Sequence, residues 1–187
     1  MKNILRKKIV NIRKNLPRRE VLEKSKKIEH KLFSLKEFKT SSKVLFYVSY
    51  DNEVYTHDMI KKTLKIGKKV VVPLSDTVNR DIIPIEIKSF DELKTGSYGI
   101  LEPVYNGENI ASLESIELVI VPGIVFDIKG YRVGHGLGYY DKFLKKTKAK
   151  KIGLAFEFQV VSEISYEEHD IKMDKIVTED RIIDCLS

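Results

Sequence analysis

The 187-residue sequence predicts an α/β fold, a mostly parallel sheet with helices on both faces. Three observations lead there. Short β-branched runs at residues 43–48 (KVLFYV), 69–74 (KVVVPL) and 117–121 (ELVIV) are apolar on both faces, as strands buried between helical layers must be. Segments of helical periodicity alternate with those runs. No stretch approaches the roughly 18 uninterrupted apolar residues that a membrane span needs.

The elements follow in order. Leu5, Ile9, Ile12 and Leu16 fall on one helical face, with Lys7, Lys8, Asn11 and Lys14 pointing elsewhere. Pro17 stops this helix, and a second begins near Arg19 with Val21, Leu22, Ser25, Ile28, Leu32 and Phe33 inward. Residues 43–48 form the first buried strand, and Asp51-Asn52 signals a turn. Thr56 is placed as the N-cap of a helix carrying Met59, Ile60 and Leu64, which Gly67 ends. After the strand at 69–74, residues 82–87 alternate around Pro84, which puts that strand at an edge. Residues 94–116, with Gly96, Gly99, Pro103 and Gly107, read mostly as loop. Beyond the strand at 117–121, residues 139–146 read as helix and 151–155 and 174–178 as strands. With no repeat and no flexible linker, residues 1–187 are expected to be one domain.

Composition narrows the function classes. Apolar residues make up 42 %, enough for a core. The net charge of +7 is concentrated: residues 1–31 hold 12 Lys/Arg against three acids, while the remainder is net −2. Such a segment suits nucleic acid, a small polyanion such as a nucleotide, or simply a solvated lysine face. No Tyr or Phe precedes Phe33, so the interleaved aromatics of a nucleic-acid surface are missing. Cys185 is the sole cysteine, which excludes an internal disulfide framework and a thiolate metal cluster and points to a reducing cytoplasm. The charged start, with no apolar run behind it, does not read as a signal peptide.

Chemistry concentrates at residues 122–141, PGIVFDIKGYRVGHGLGYYD, which hold five of the ten glycines. The segment follows a buried strand and runs into a helix, and ligands of open parallel sheets bind at the strands' carboxyl ends. Gly134, Gly136 and Gly138 let backbone approach a ligand, and their N–H groups with the following helix N-terminus suit an anion. Arg132 and Lys142 add charge, and His135 can donate a hydrogen bond. The ending of a P-loop is absent, and so is the dinucleotide fingerprint. Taken alone, G-x-G-x-G also describes a tight surface turn. Tyr139 and Tyr140 point roughly 100° apart at a helix start, so one can pack inward while the other lines a pocket. Asp141 either caps that helix or holds Mg²⁺ against phosphates.

The run at 122–141 resembles throughout the signature of the 5-formyltetrahydrofolate cyclo-ligase family, also called methenyltetrahydrofolate synthetases. Shorter stretches agree in order: Lys2-Asn3-Ile4-Leu5-Arg6, Glu53-Val54-Tyr55-Thr56, and His169-Asp170-Ile171-Lys172-Met173-Asp174. Leu137 departs, standing where relatives commonly carry Gly or Lys. The resemblance implies a Rossmann-like fold akin to the sugar-phosphate isomerase and CoA-transferase group. It also implies ATP- and Mg²⁺-dependent closure of 5-formyltetrahydrofolate to 5,10-methenyltetrahydrofolate through an iminium phosphate.

The resemblance further implies residue roles. Lys2, Asn3, Ile4, Leu5, Arg6 and residues 132–140 (Arg132, Val133, Gly134, His135, Gly136, Leu137, Gly138, Tyr139, Tyr140) would bind ATP. Arg6, Val48, Glu53, His135, Gly136, Leu137, Gly138 and Tyr139 would bind folate, and Arg132 and Tyr139 would be catalytic. Asp141 would hold Mg²⁺, with Asp170 the second ligand and Asp174 a lesser alternative. Partners would be these small molecules, with no nucleic acid and no membrane, and the chain a cytoplasmic monomer. His30 and His57 read as structural or surface, and Glu167-Glu168 as a solvated pair. A phosphosugar- or CoA-binding enzyme and a nucleic-acid module built on residues 1–31 stand as rivals.

Overall fold

The computed structural model describes residues 2–96 and 99–185. Helices α1 (Lys2–Lys14), α2 (Arg18–Ser34) and α3 (Lys36–Thr40) precede β1 (Lys43–Phe46), α4 (His57–Lys65), β2 (Lys69–Asp76) and β3 (Asp81–Ile87). A short antiparallel pair, β4 (Lys94–Thr95) and β5 (Leu101–Glu102), leads to β6 (Leu118–Val121), β7 (Val125–Asp127), β8 (Arg132–Val133) and α5 (Tyr139–Lys146). Strands β9 (Lys150–Leu154), β10 (Val160–Val161), β11 (Lys175–Val177) and β12 (Ile182–Asp184) complete the order.

Seven strands form the main sheet in the order β12-β11-β9-β6-β1-β2-β3. The inner five run parallel, and β3 and β12 close the two edges antiparallel. The inner strands are apolar on both faces, as expected, and fill two cores. Val44, Phe46, Val70, Val72, Leu118 and Ile120 face α2–α4 through Val21, Ile28, Leu32, Phe38, Met59 and Ile60. Leu45, Val71, Val119, Val121 and Ile176 face α5 through Phe143 and Leu144. Helices therefore cover both faces, and period-2 alternation decides which side chain enters which core. A second small sheet, β10-β7-β8, packs on α1 through Val125, Val133 and Ile9.

Chain winding reverses between β1 and β6. From β1 the chain adds β2 and β3 on one side, then returns to pair β6 with β1 on the other. The carboxyl ends of these neighbours open the crevice where ligands of such sheets sit.

Several sequence expectations need correction. Ile12 and Leu22 are exposed, at 37 % and 40 %. In α1 the buried stripe runs through Ile9 and Arg13, which turns Ile12 to the rim. Thr56 occupies the N-cap of α4, but its side chain caps nothing. Its hydroxyl donates to the Tyr47 carbonyl at 2.7 Å and accepts from the Ser49 N–H at 3.0 Å, tying down the chain after β1. Residues 94–116 are mostly loop, as expected. Besides β4 and β5, residues 109–111 bond the outer edge of β3, through Glu86 N–H to Asn109 (2.8 Å) and Ala111 N–H to Pro84 (2.9 Å). Pro84 does lie on an edge strand, as its missing N–H requires.

Candidate active site

Half of the 122–141 run is scaffold. Asp127 is fully buried and accepts from the N–H groups of Lys129 (3.0 Å), Tyr131 (2.9 Å) and Ile164 (2.9 Å). Gln159 donates to the carbonyls of Gly123 and Ile124. These bonds fix β7 and the turn after it, and so aim β8. Val133 is turned into the core, whereas Arg132, next to it on the strand, is directed toward α5.

The Arg132 side chain is only 4 % exposed. One terminal nitrogen donates to Asp141 Oδ1 at 2.9 Å, the guanidinium lies 5.8 Å from the centre of the Tyr140 ring, and Nε has no partner. Burial pulls its pKa down, while Asp141, Tyr140 and Asp170 oppose that. A β-carbon on Gly134 would stand 2.9 Å from the Arg132 guanidinium, so a larger residue there would push the end of that side chain aside. Gly138 sits at the N-cap of α5 with φ 74°, which turns the chain into the helix. Tyr140 packs between the two cores with its hydroxyl buried and unpartnered, and burial raises its pKa strongly. Tyr139 is half-buried against the α5 side. The expected division is incomplete: both rings pack against the core on the α5 side, and Tyr140 reaches the other core as well.

Helix α1 lies along this loop. Arg6 Nε donates to the Gly134 carbonyl at 2.9 Å, and Asn3 Oδ1 accepts from Arg6. Lys2 pairs with Asp170 at 3.2 Å. Burial raises the Asp170 pKa, but the Glu167 N–H and Lys2 outweigh it and the net shift is downward. Ile4 is exposed, and Leu5 packs on the small sheet. Across the crevice, Glu53 is 7 % exposed, accepts from the Tyr50 N–H at 3.0 Å, and lies 3.6 Å from His135 Nε2. Val48 is buried in the chain just after β1. Leu137 is exposed on the loop.

The structure therefore brings Lys2, Arg6, Arg132, His135, Tyr139, Tyr140, Asp141, Asp170 and Glu53 around residues 134–138. Asp174 is taken up elsewhere: its carboxylate accepts from the Lys151 N–H at 2.7 Å and holds β9 to the start of β11. Among the described residues no three acidic, His or Cys side chains converge as a metal cage. Asp141 and Asp170 suit an ion that keeps its remaining ligands as water and phosphate oxygen, which is how Mg²⁺ usually binds. A concavity of about 660 Å³ lies on the outer face of α2 beside Glu20, Lys24, Lys27 and Lys31. It is an open, solvated lysine face away from the residues just described. His57 accordingly serves structure, with Nε2 at 2.8 Å from the Ser49 carbonyl.

Three features escaped the sequence reading. Arg132 and Asp141 are partners. Asn52 caps α1, donating to the carbonyls of Arg13 (3.1 Å) and Leu16 (3.0 Å). Arg13 is buried, at 1 % exposure. Only the last left a trace in the sequence, an arginine four residues beyond Ile9 on the apolar stripe.

Comparison with known proteins is consistent along the whole length. Residues 1–179 match the model of the 5-formyltetrahydrofolate cyclo-ligase family. A probable 5-formyltetrahydrofolate cyclo-ligase of Caenorhabditis elegans is 28 % identical, over 98 % of this chain and 95 % of its own. The 5-formyltetrahydrofolate cyclo-ligase of Saccharomyces cerevisiae is 32 % identical, over 96 % and 95 %. The solution structure of Aquifex aeolicus 5,10-methenyltetrahydrofolate synthetase superposes with a TM-score of 0.88 at 36 % identity, covering 100 % of this chain and 93 % of that one. With the glycine loop, its flanking cations and this coverage agreeing, the chain belongs to the 5-formyltetrahydrofolate cyclo-ligase family.

Proposed function

We propose that this chain is an ATP-dependent 5-formyltetrahydrofolate cyclo-ligase whose site lies between α1, the 134–140 loop and Glu53. The observation that carries the reading is Arg132: a buried guanidinium with an unpartnered Nε, held against Asp141 and Tyr140 beneath a loop that glycine keeps open. A buried cation of this kind suits a polyanion arriving on the loop.

In this reading Lys2, Arg6 and Arg132 neutralise the triphosphate, and main-chain amides of the 134–140 loop cradle it. Asp141 and Asp170 hold Mg²⁺, which would draw charge off the phosphates and orient them. The formyl oxygen attacks the γ-phosphorus and ADP leaves. N10 then attacks the formyl carbon, and phosphate departs with the former formyl oxygen as the N10 proton is lost. No protein nucleophile is needed, so the chain contributes position and charge. Glu53 accepts hydrogen bonds near the reacting nitrogens, and Val48, His135 and Tyr139 line the folate, with Tyr139 flat against a ring. Arg132 stabilises charge in transfer. Gly136 and Leu137 contribute through backbone.

The two carboxylates and two of the cations neutralise one another as Lys2–Asp170 and Arg132–Asp141. Nucleotide and metal would exchange these pairs for ligand contacts. We further read residues 1–187 as one domain and the chain as a monomer. We also read the sheet as one of the sugar-phosphate isomerase and CoA-transferase type. No helix among the described residues is long and apolar enough to cross a membrane; we read the location as cytoplasmic from the lone cysteine.

The test is a spectrophotometric assay of methenyl product from 5-formyltetrahydrofolate. Product should need both ATP and Mg²⁺. Turnover independent of nucleotide would sink the reading.

A further inference from the structure

Arg13 takes no part in the roles assigned so far, yet its burial needs a reason. It is 1 % exposed, and neither Nε nor Nη1 meets an acceptor among the described residues. Buried ions are almost always paired, and an unpaired one is expensive. Every buried side-chain polar atom left without a partner, among the described residues, belongs to Arg13, Arg132 or Tyr140. The last two stand at the proposed site. Arg13 shares their condition.

Its position is fixed by two observations. Along α1, Lys2, Arg6 and Arg13 follow one stripe at i, i+4 and i+11, so Arg13 faces the same way as the nucleotide cations. At about 1.5 Å per residue it lies roughly 10 Å beyond Arg6, too far to share the phosphate loop. Asn52 then ties the Arg13 carbonyl to the turn carrying Glu53. Burial raises the Tyr47 and Tyr50 hydroxyl pKa values, Glu53 adds to this, and Arg13 opposes it, so all four side chains share one neighbourhood. Arg13 and Glu53 nevertheless make no ion pair with each other: Glu53 accepts from Tyr50 and faces His135.

We propose that Arg13 is a further substrate-binding residue, donating through its guanidinium to the C4 carbonyl oxygen of the reduced pterin while Glu53 engages the neighbouring nitrogens. This rests on the reading that folate lies against Glu53. The C4 carbonyl stands beside N5, so a donor reaching it must sit close to Glu53 without pairing with it. Folate's glutamyl carboxylates are the other acceptors available to a cation. They lie at the hydrated end of the molecule, however, and a guanidinium this buried suits the flat ring that enters first.

The consequence is specificity. A donor aimed at a 4-oxo group should reject a 4-amino pteridine, whose amino group cannot accept. The experiment compares binding of 5-formyltetrahydrofolate and its 4-amino-4-deoxy counterpart by calorimetry, in wild type, Arg13→Gln and Glu53→Gln. Wild type should prefer the 4-oxo form by about tenfold or more. Arg13→Gln should lose about tenfold for the 4-oxo form and little for the 4-amino form, collapsing the ratio toward one. An unchanged ratio in Arg13→Gln, or a wild type indifferent to the exchange, overturns the proposal. If the ratio stays unchanged while Glu53→Gln weakens folate binding, the proposal alone falls. If Glu53→Gln has no effect on folate, the underlying reading fails with it. Arg13→Met separates a purely structural role: without ligand it should melt at or above the wild-type temperature, because an unpaired buried ion has gone. A drop of several degrees with the ratio retained overturns the proposal.

Discussion

Replacing Asp141 by Asn tests the pairing at the centre of the site. Arg132 is 4 % exposed and Asp141 35 %, joined at 2.9 Å. Breaking a fully buried pair from one side costs about 3–5 kcal/mol, whereas an exposed pair is worth about 0–1 kcal/mol. The Asp141 carboxylate is screened by water and Asn can still accept one bond, so the loss should fall between, at about 1–3 kcal/mol. For a chain of this size that lowers the ligand-free melting temperature by about 2–12 °C. Adding Arg132→Met should recover most of that stability, since the stranded cation is gone. Turnover should stay low in both the single and the double variant, and whatever activity Asp141→Asn keeps should depend on Mg²⁺ less steeply than that of the wild type. Thermal unfolding in a double-mutant cycle, beside an Mg²⁺ titration of activity, reads both. If Asp141→Asn melts with the wild type and titrates normally with Mg²⁺, the carboxylate is neither partner nor ligand, and the argument for this corner of the site is refuted.

Other outcomes are expected. Arg132→Ala should reduce ATP-dependent product formation by about a thousandfold while circular dichroism stays that of the wild type; undiminished turnover removes its phosphate role. Glu53→Gln should raise the KM for folate by about tenfold and leave the KM for ATP within about twofold, and equal losses for both substrates would point to a collapsed fold. Burial pushes the Cys185 thiol up to about 11 from 9.0. A thiol raised in this way favours the folded state below the unfolded pKa, and that contribution fades as pH climbs from about 9 to about 11. The urea midpoint of wild type should therefore fall relative to Cys185→Ala over that alkaline window, and parallel curves would mean the thiol is solvated.

Much of the fold is legible from residues alone because the inner strands are apolar on both faces. A run such as 117–121 has few other places to go. The edges are less legible. Strands β7, β8 and β10 are two or three residues long, too short to show a period, and β12 closes the sheet through long-range pairing. The glycine loop, Arg132, Asp141 and Glu53 stand out through residue type and order. That Arg132 and Asp141 meet each other, and that Asn52 reaches back across 36 residues to Leu16, depends on tertiary contacts that no local pattern encodes. Arg13 was passed over among many basic neighbours because only its burial sets it apart.

Helix α1 touches the glycine loop through Arg6 and is bolted at its far end to the turn before Glu53 through Asn52. It thereby works as a calliper across the crevice, with a span set by peptide geometry and not by flexible side chains. One residue inserted between Lys7 and Ile12 would lengthen it by only about 1.5 Å but swing its two jaws about 100° out of alignment. Length variation among chains of this kind should accordingly collect after Leu16 or before Lys2, and spare the turns between.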